Sequence, residues 1–351
     1  MMSRGFWDNL EKPILGLAPM DGVTDAAFRY MVATHGKASV IFTEFTNVEG
    51  LARGAAKMLV AFLYDEIERP VVAQVFGTEV ESYYKAAVML CEMGLDGIDI
   101  NMGCPAKSVA TKGAGAGLIQ TPALARELIR SVKRGIKDWS EGISLEKAGL
   151  HEDIIAEIVQ MKVGRVFERR LLPVSVKTRI GYDSVVAEEW VRVLLEERPA
   201  NITMHGRTLK QMYSGQADWE VLGKAAAVCK GSGVSFLGNG DIKSMDDALA
   251  KVKEYGLDGV LVGRAVMGNP WFFIGHEPSV EERIAAVKEH CDAFEKIFGD
   301  KLAFHNIKKH LVWYLKGFEG VKEMRMQLMM SSGFDEVREI MSSLKYLPPT
   351  F

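Results

Sequence analysis

The chain has 351 residues, 48% of them apolar and 25% charged, with 34 Gly, 11 Pro and no Gly period of three. This composition fits a soluble globular protein of one large domain, alone or with a small one, and excludes fibrous and low-complexity classes. The formal charge of −3, from 43 Lys and Arg against 46 Asp and Glu, excludes a broadly basic nucleic-acid binder but not a local basic surface.

In chain order, the opening MMSRGFWDNLEKPILG has no apolar run before its charges, so no signal peptide is expected. No run of 18 uncharged apolar residues follows, which predicts no membrane helix and makes the cytoplasm the default compartment. Short apolar runs predict strands at 14–18, 39–42, 71–75, 97–101, 173–178, 201–205, 234–238 and 258–262. Amphipathic stretches predict helices at 79–93, 121–135, 184–197, 218–230 and 245–255, with N-cap signals at Thr121, Asp183, Ser184 and Ser244. Eight strand–helix units over about 270 residues predict a (β/α)8 TIM barrel. A doubly wound open sheet alternates in the same way. Three features favour the barrel: the count of eight, the lack of GxGxxG after the first strand, and polar residues at strand C-terminal ends, namely Asn101, Lys177, His205, Asn239 and Arg264.

The stretch 136–172 is too long for an ordinary αβ connection and reads as an insertion with one extra helix over 149–168, its mixed charges facing solvent. After Asn269-Pro270 the strands stop, and 281–298, 301–315, 320–331 and 333–345 read as helices. The expected division is a barrel domain over 1–273, including the insertion, and a small all-helical domain over 274–351. The latter holds 11 Lys and Arg against 12 Asp and Glu, yet His305 to Lys316 contains Lys308, Lys309, Lys316, two His and no acid.

The candidate chemistry sits at strand ends. Cys104 follows the fourth strand in NMGCPAKSV and could be a nucleophile, a general acid or inert filler. Cys91, Cys229 and Cys291 read as core, and the four Cys fit no disulfide framework or zinc site. Lys177 and Arg179, two apart, share one side of a strand; they face an anionic or electron-rich ligand, or pair with acids. His205 ends the next strand, with Arg207, Lys210 and Gln211 as further donors. No HExxH or paired-carboxylate spacing supports a metal. GNGDI (238–242) and GRAVMGNP (263–270) end strands seven and eight, where barrels commonly bind phosphate. Gly238, Gly240 and Gly263 would admit it closely and Arg264 would clamp it. Met20 could lie over a flat ring or simply pack, and Gln74 could meet a heteroaromatic edge. A phosphate at one end, amides and a lysine at the centre and no dinucleotide fingerprint suggest a mononucleotide cofactor, best fitted by FMN.

Taken together, APMDGVTD, NMGCPAKSVATKGAGAGL, PVSVKTRIGYD, HGRTLKQMYSGQADW, GNGDI, GRAVMGNPWFF and HLVWYLKG occur in an order that resembles the tRNA-dihydrouridine synthases, in particular the bacterial branch called DusB-like. The resemblance spans about residues 10–345. It implies an FMN barrel with a C-terminal helical domain that reduces the C5–C6 double bond of particular uridines in tRNA, with NADPH (or NADH) as electron donor. Under it Cys104 protonates uracil C5 after hydride from flavin N5 reaches C6. Asn101 holds the uracil edge, Arg179 is the substrate-side cation and Tyr213 contacts the target base. Pro19, Met20, Gln74, Lys177 and His205 cradle the flavin, and Asn239, Gly240, Gly263 and Arg264 hold its phosphate. The resemblance makes tRNA the partner, with Lys308, Lys309 and Lys316 as candidate backbone contacts, no structural metal and a monomeric chain. The 136–172 stretch departs from the family pattern. D-loop uridine 17 is the expected target. Two other readings are an FMN barrel acting on a small free substrate and a flavin-containing RNA-binding protein that only aids tRNA folding.

Overall fold

Alternation along eight strands sets the architecture. The structure, a computed structural model, describes residues 4–162, 165–212 and 214–343. The strands are β1 (Ile14–Leu17), β2 (Val40–Asn47), β3 (Val71–Phe76), β4 (Gly97–Met102), β5 (Val174–Gly181), β6 (Asn201–Thr208), β7 (Ser235–Asn239) and β8 (Gly259–Val262). All neighbours pair in parallel and β1 pairs β8, so the sheet closes as a barrel in sequence order. Each sequence-predicted strand is present. β2 and β6 run further than their apolar runs, because polar residues continue the ladder into the rim.

The strands look almost uniformly apolar in sequence, but their two sides differ. In β4, Ile98, Ile100 and Met102 join the large apolar layer beneath the helices. Asp99 and Asn101 alternate with them and are 0% and 6% exposed. Interior Ile14, Val40, Phe42, Val72, Leu237 and Leu261 form a separate cluster with Trp7, which closes the other end of the barrel. The barrel interior is therefore apolar at one end and polar toward the strand C-termini.

The helices are α1 (Ala26–Gly36), α2 (Val48–Ala52), α3 (Val80–Glu92), α4 (Lys107–Ala110), α5 (Pro122–Ser140), α6 (Glu152–Lys162), α7 (Ala187–Glu196), α8 (Trp219–Cys229), α9 (Met245–Tyr255), α10 (Val280–Phe298), α11 (Lys308–Tyr314), α12 (Val321–Met330) and α13 (Phe334–Ser343). No described helix is long and apolar enough to cross a membrane. Ser244 caps α9 as expected, by accepting from Asp247 N. Asp183 and Ser184 do not cap α7: it starts at Ala187, after Val186, with no side-chain cap. Thr121 precedes α5 but makes no capping bond; Pro122 at the first position initiates that helix instead. The predicted helix 301–315 is shorter, because 3-10 turns at Gly299–Lys301 and Phe304–Asn306 occupy its first half.

Within 136–172, α5 runs on to Ser140 and α6 is shorter than the predicted 149–168. The segment is fastened sideways: Arg170 Nη2 pairs with Asp96 Oδ1 at 3.0 Å, Lys162 with Glu92, and Lys301 Nζ reaches Glu157 Oε1 at 2.6 Å.

Helix α1 was not predicted, for a physical reason. Phe28 and Val32 pack into the barrel layer, while Ala27 and Met31 pack against Val287, Phe294 and Leu311 of the C-terminal helices. A helix buried on two sides has no polar stripe to read. Arg29 on α1 is fully buried; its Nε donates to Glu68 Oε2 at 2.7 Å, its Nη1 to Thr24 O at 2.7 Å, and its Nη2 to Leu63 O. Removing one member of such a pair strands the other charge in the core. Glu68→Ala is expected to cost about 3–5 kcal/mol in denaturant unfolding. A loss below about 1 kcal/mol, the range of exposed pairs, would show that the pair is not holding α1.

Candidate active site

The C-terminal ends of the strands enclose a cavity of about 1,200 Å³. Of the barrel residues singled out in the sequence, Pro19, Met20, Gln74, Asn101, Cys104, Lys177, Arg179, His205, Arg207, Asn239, Gly240, Gly263 and Arg264 line it; Gly238, Lys210 and Gln211 do not, and Tyr213 lies outside the described residues. No described residue of 136–172 lines the cavity.

Cys104 sits on a turn held from four sides. Asn101 Oδ1 accepts from Gly103 N at 3.0 Å and from Cys104 N at 2.8 Å. Arg179 Nε donates to Gly103 O at 2.7 Å, and Ala116 N to Cys104 O at 3.2 Å. Gly103 lies against the Thr178 backbone, where a Cβ would stand 3.2 Å from Thr178 C. Gly115, at φ +56°, packs so closely under Cys104 that a Cβ would meet its carbonyl oxygen at 2.9 Å. Burial pushes the Cys104 thiol above its ordinary value; Asp21 adds to this, while the Ala106 N–H, Arg179 and Lys177 oppose it. The thiol is therefore protonated at neutral pH, as a proton donor requires and a nucleophile does not.

Lys177 and Arg179 do face the same side. Arg179 is 5% exposed and also donates from Nη1 to Thr208 O at 3.2 Å, so it braces the Cys104 turn. Burial and Arg179 push Lys177 down to about 8, against the pull of Asp99 and Cys104. Burial, reinforced by Lys177, Arg179, Arg207 and Arg264, holds His205 well below its usual range, so its imidazole is neutral.

At strands seven and eight, Asp241 is the organiser. Its Oδ2 takes Arg207 Nη2 at 2.7 Å and Ala217 N at 2.8 Å, and its Oδ1 takes Arg264 Nη2 at 2.8 Å. Gly240, at φ +129°, lies where a Cβ would stand 2.7 Å from Ala217 Cβ and 2.9 Å from His205 Cδ2. Arg207 and Trp219 line the cavity, and each keeps a buried donor, Nε and Nε1, without a partner among the described residues. Unpartnered donors, a neutral histidine and an exposed arginine make this end suited to an anion such as a phosphate. Gly238 does not contribute: a Cβ there would stand 2.7 Å from Trp219, so it makes room for packing. Asn239 Nδ2 is bonded to Leu261 O at 2.8 Å.

The helical lysines are dispersed. Lys308 Nζ donates to Met329 O at 3.1 Å and lies over Phe304. Lys309 Nζ faces the loop after β1, 3.2 Å from where a Cβ on Gly22 would stand, and its charge bears on buried Asp25. Lys316 is exposed. His310 is fully buried, with Nε2 3.5 Å from Asp25 Oδ2. These lysines do not share one face of a single helix.

Three residues escaped the sequence reading. Asp241 was visible only as part of GNGDI, and Trp219 only as the end of HGRTLKQMYSGQADW. Asp99 had a signal, a lone carboxylate two residues before Asn101 in an apolar strand, which places both on the same side.

Residues 16–139 and 147–346 match the family model described as dihydrouridine synthase (Dus). Within the 136–172 stretch the match is interrupted at 140–146. The chain is 33% identical over 356 residues to "Probable tRNA-dihydrouridine synthase 2" of Bacillus subtilis (strain 168), which covers 99% of both chains. It is 32% identical over 352 residues to "Probable tRNA-dihydrouridine synthase" of Staphylococcus epidermidis (strain ATCC 35984), covering 98% of this chain and 97% of that one. A solved structure of DHODH from Eimeria tenella in complex with ferulenol aligns over 81% of this chain and 82% of that one, with 13% identity and a TM-score of 0.44, a likeness too loose to bear on function.

The raised thiol makes a testable pH signature. Alkylation of Cys104 by iodoacetamide, resolved from the other cysteines by mass spectrometry, should keep accelerating beyond about pH 8.5. A rate that levels off below about pH 7 would mean a stabilised thiolate and would contradict the acid assignment.

Proposed function

The chain belongs to the dihydrouridine synthase family, and from that premise we propose that it reduces the C5–C6 double bond of specific tRNA uridines to 5,6-dihydrouridine, with FMN as its flavin and NADPH, or NADH, as electron donor. The observation that carries this reading is the Cys104 thiol on a braced turn, opening into the same cavity as the half-buried Lys177 and an anion-suited end.

The residues present fit FMN. Arg264, aimed by Asp241, and the unpartnered donors of Arg207 and Trp219 suit its phosphate, with Gly240 and Gly263 allowing close approach of the backbone. Lys177 and neutral His205 suit the electron-rich edge of a flavin ring, with Pro19, Met20 and Gln74 beside it. When bound, the flavin supplies the hydride that reduces uracil C6. Cys104 then gives its proton to C5, where negative charge would otherwise build. Arg179, by holding Gly103 O, keeps that thiol at its station and adds positive potential beside it. Asn101 has committed its carbonyl oxygen to the turn and one amide hydrogen to Gln74, which leaves its second amide hydrogen to meet the uracil. Tyr213 keeps its assignment to the target base.

We divide the chain functionally at 273/274, the barrel as catalyst and the helices as the tRNA-binding part. The target base must leave its stack to enter the cavity. Lys316 is the exposed candidate for phosphate contact, and Lys308 and Lys309 are further candidates that point elsewhere. The enzyme acts in the cytoplasm, as a monomer.

Two experiments test the proposal together. The purified protein should carry noncovalent FMN. Mass-spectrometric mapping of tRNA from a strain lacking the protein should show loss of dihydrouridine at D-loop position 17, restored by the wild-type gene. Colourless protein that takes up no FMN contradicts the cofactor, unchanged dihydrouridine contradicts the activity, and loss confined to another position contradicts the site choice alone. Turnover of free uridine at the rate of tRNA would favour the small-substrate reading.

A further inference from the structure

We propose that Asp99 is a positioning residue whose carboxylate fixes the orientation of two consecutive side-chain amides, Gln74 and Asn101, and through them holds the Cys104 turn. The proposal rests on the reading that Cys104 delivers the proton.

Asp99 is fully buried in the barrel and stands in register with Gln74 of β3 on one side and Ser175 of β5 on the other. Its Oδ1 accepts from Ser175 Oγ at 2.6 Å and its Oδ2 from Gln74 Nε2 at 2.7 Å. Gln74 Oε1 accepts from Asn101 Nδ2 at 2.9 Å. Asn101 Oδ1 then accepts the N–H groups of Gly103 and Cys104. Every bond in this line points the same way, toward the carboxylate.

The direction follows from chemistry. An ionised carboxylate only accepts, whereas an amide side chain can present either end. Burial pushes Asp99 up to about 6, against its bonds to Ser175 and Gln74 and the charge of Lys177, so it remains ionised at neutral pH. Gln74 must therefore turn its NH2 to Asp99 and its oxygen to Asn101. Asn101 must in turn give its NH2 to Gln74 and its oxygen to the turn. If either amide reversed, Asn101 would set an NH2 against two backbone N–H groups, and the turn would lose both bonds. Backbone N–H groups at a reactive turn cannot choose their partner's orientation; a carboxylate two residues upstream does so for them.

The relay makes a prediction that ordinary packing does not. Asp99→Asn removes the acceptor-only end, so both amide orientations become available. Gln74→Glu sets two carboxylates against each other. Each should loosen the turn, and each should speed alkylation of Cys104 by iodoacetamide about tenfold. Asp99→Asn should also lower uridine reduction at saturating tRNA about tenfold with little change in KM for tRNA. The double variant Asp99→Asn/Gln74→Glu moves the carboxylate one link along. The acceptor-only group, now at position 74, takes the NH2 of Asn101, and Asn101 keeps its orientation. The alkylation rate should then return to within about threefold of wild type.

Alkylation of the full-length protein, resolved at Cys104, reads the cycle without turnover or bound flavin. If a single variant fails to fold, Asp99→Asn/Asn101→Asp and its two parents form a second cycle, with the carboxylate at the turn end and the same recovery expected. A double variant as reactive as its parents overturns the relay. So does an Asp99→Asn variant whose Cys104 alkylates at the wild-type rate. If wild-type protein reduces no uridine while the alkylation cycle behaves as stated, the functional reading falls and the relay stands.

Discussion

A carboxylate buried inside a barrel has to be surrounded by donors, and in this protein that requirement organises the catalytic end. Asp99 is fully buried, so Ser175 and Gln74 turn their donors inward to it. The satisfaction of one charge then propagates by way of Asn101 to the backbone of the Cys104 turn. A second carboxylate, Asp241, does the same at the other end of the cavity, where it aims Arg207 and Arg264. The acidic groups touch neither end's reactive partner directly; they set the direction of the groups that do.

The same logic ties the C-terminal helices to the barrel. Helix α1 belongs to both apolar clusters, and buried Arg29 fastens it to the segment around Glu68. At the junction, burial pushes Asp25 up to about 6, and burial with the Asp25 charge pushes Glu44 up to about 7. Lys309 brings a positive charge to this acidic corner, one loop from Met20 and Asp21 at the cavity rim. The helical part is thus fixed against the barrel through a packed interface rather than a linker.

Much of this was legible in the residues. The eight strands stood out because strands covered by helices are apolar runs bounded by turn residues, and the site residues stood out because polar side chains collect where those runs end. What escaped was set by tertiary contact. Helix α1 lacks a polar stripe because two layers bury it, and the expected helix through 301–315 breaks into 3-10 turns before Lys308. Gly238 shares a motif with Gly240, but its neighbour is Trp219 rather than the cavity, which only the alternation of β7 decides. Lys308 and Lys309 are adjacent in sequence and diverge in space. The roles of Asp99 and Asp241 depend on partners 25 positions away for Gln74 and 34 for Arg207, and no local pattern encodes those pairings.

The role proposed for Cys104 is to donate a proton to uracil C5 rather than to serve as a structural thiol. Its most direct test is to separate the two half-reactions in Cys104→Ala. Reduction of bound flavin by NADPH should proceed at close to the wild-type rate, because that step needs no acid from this turn. Dihydrouridine formation from the reduced enzyme and tRNA, followed in a single turnover, should fall roughly 10²- to 10⁴-fold. A variant that forms dihydrouridine at the wild-type rate, or that loses both half-reactions equally, would contradict that role.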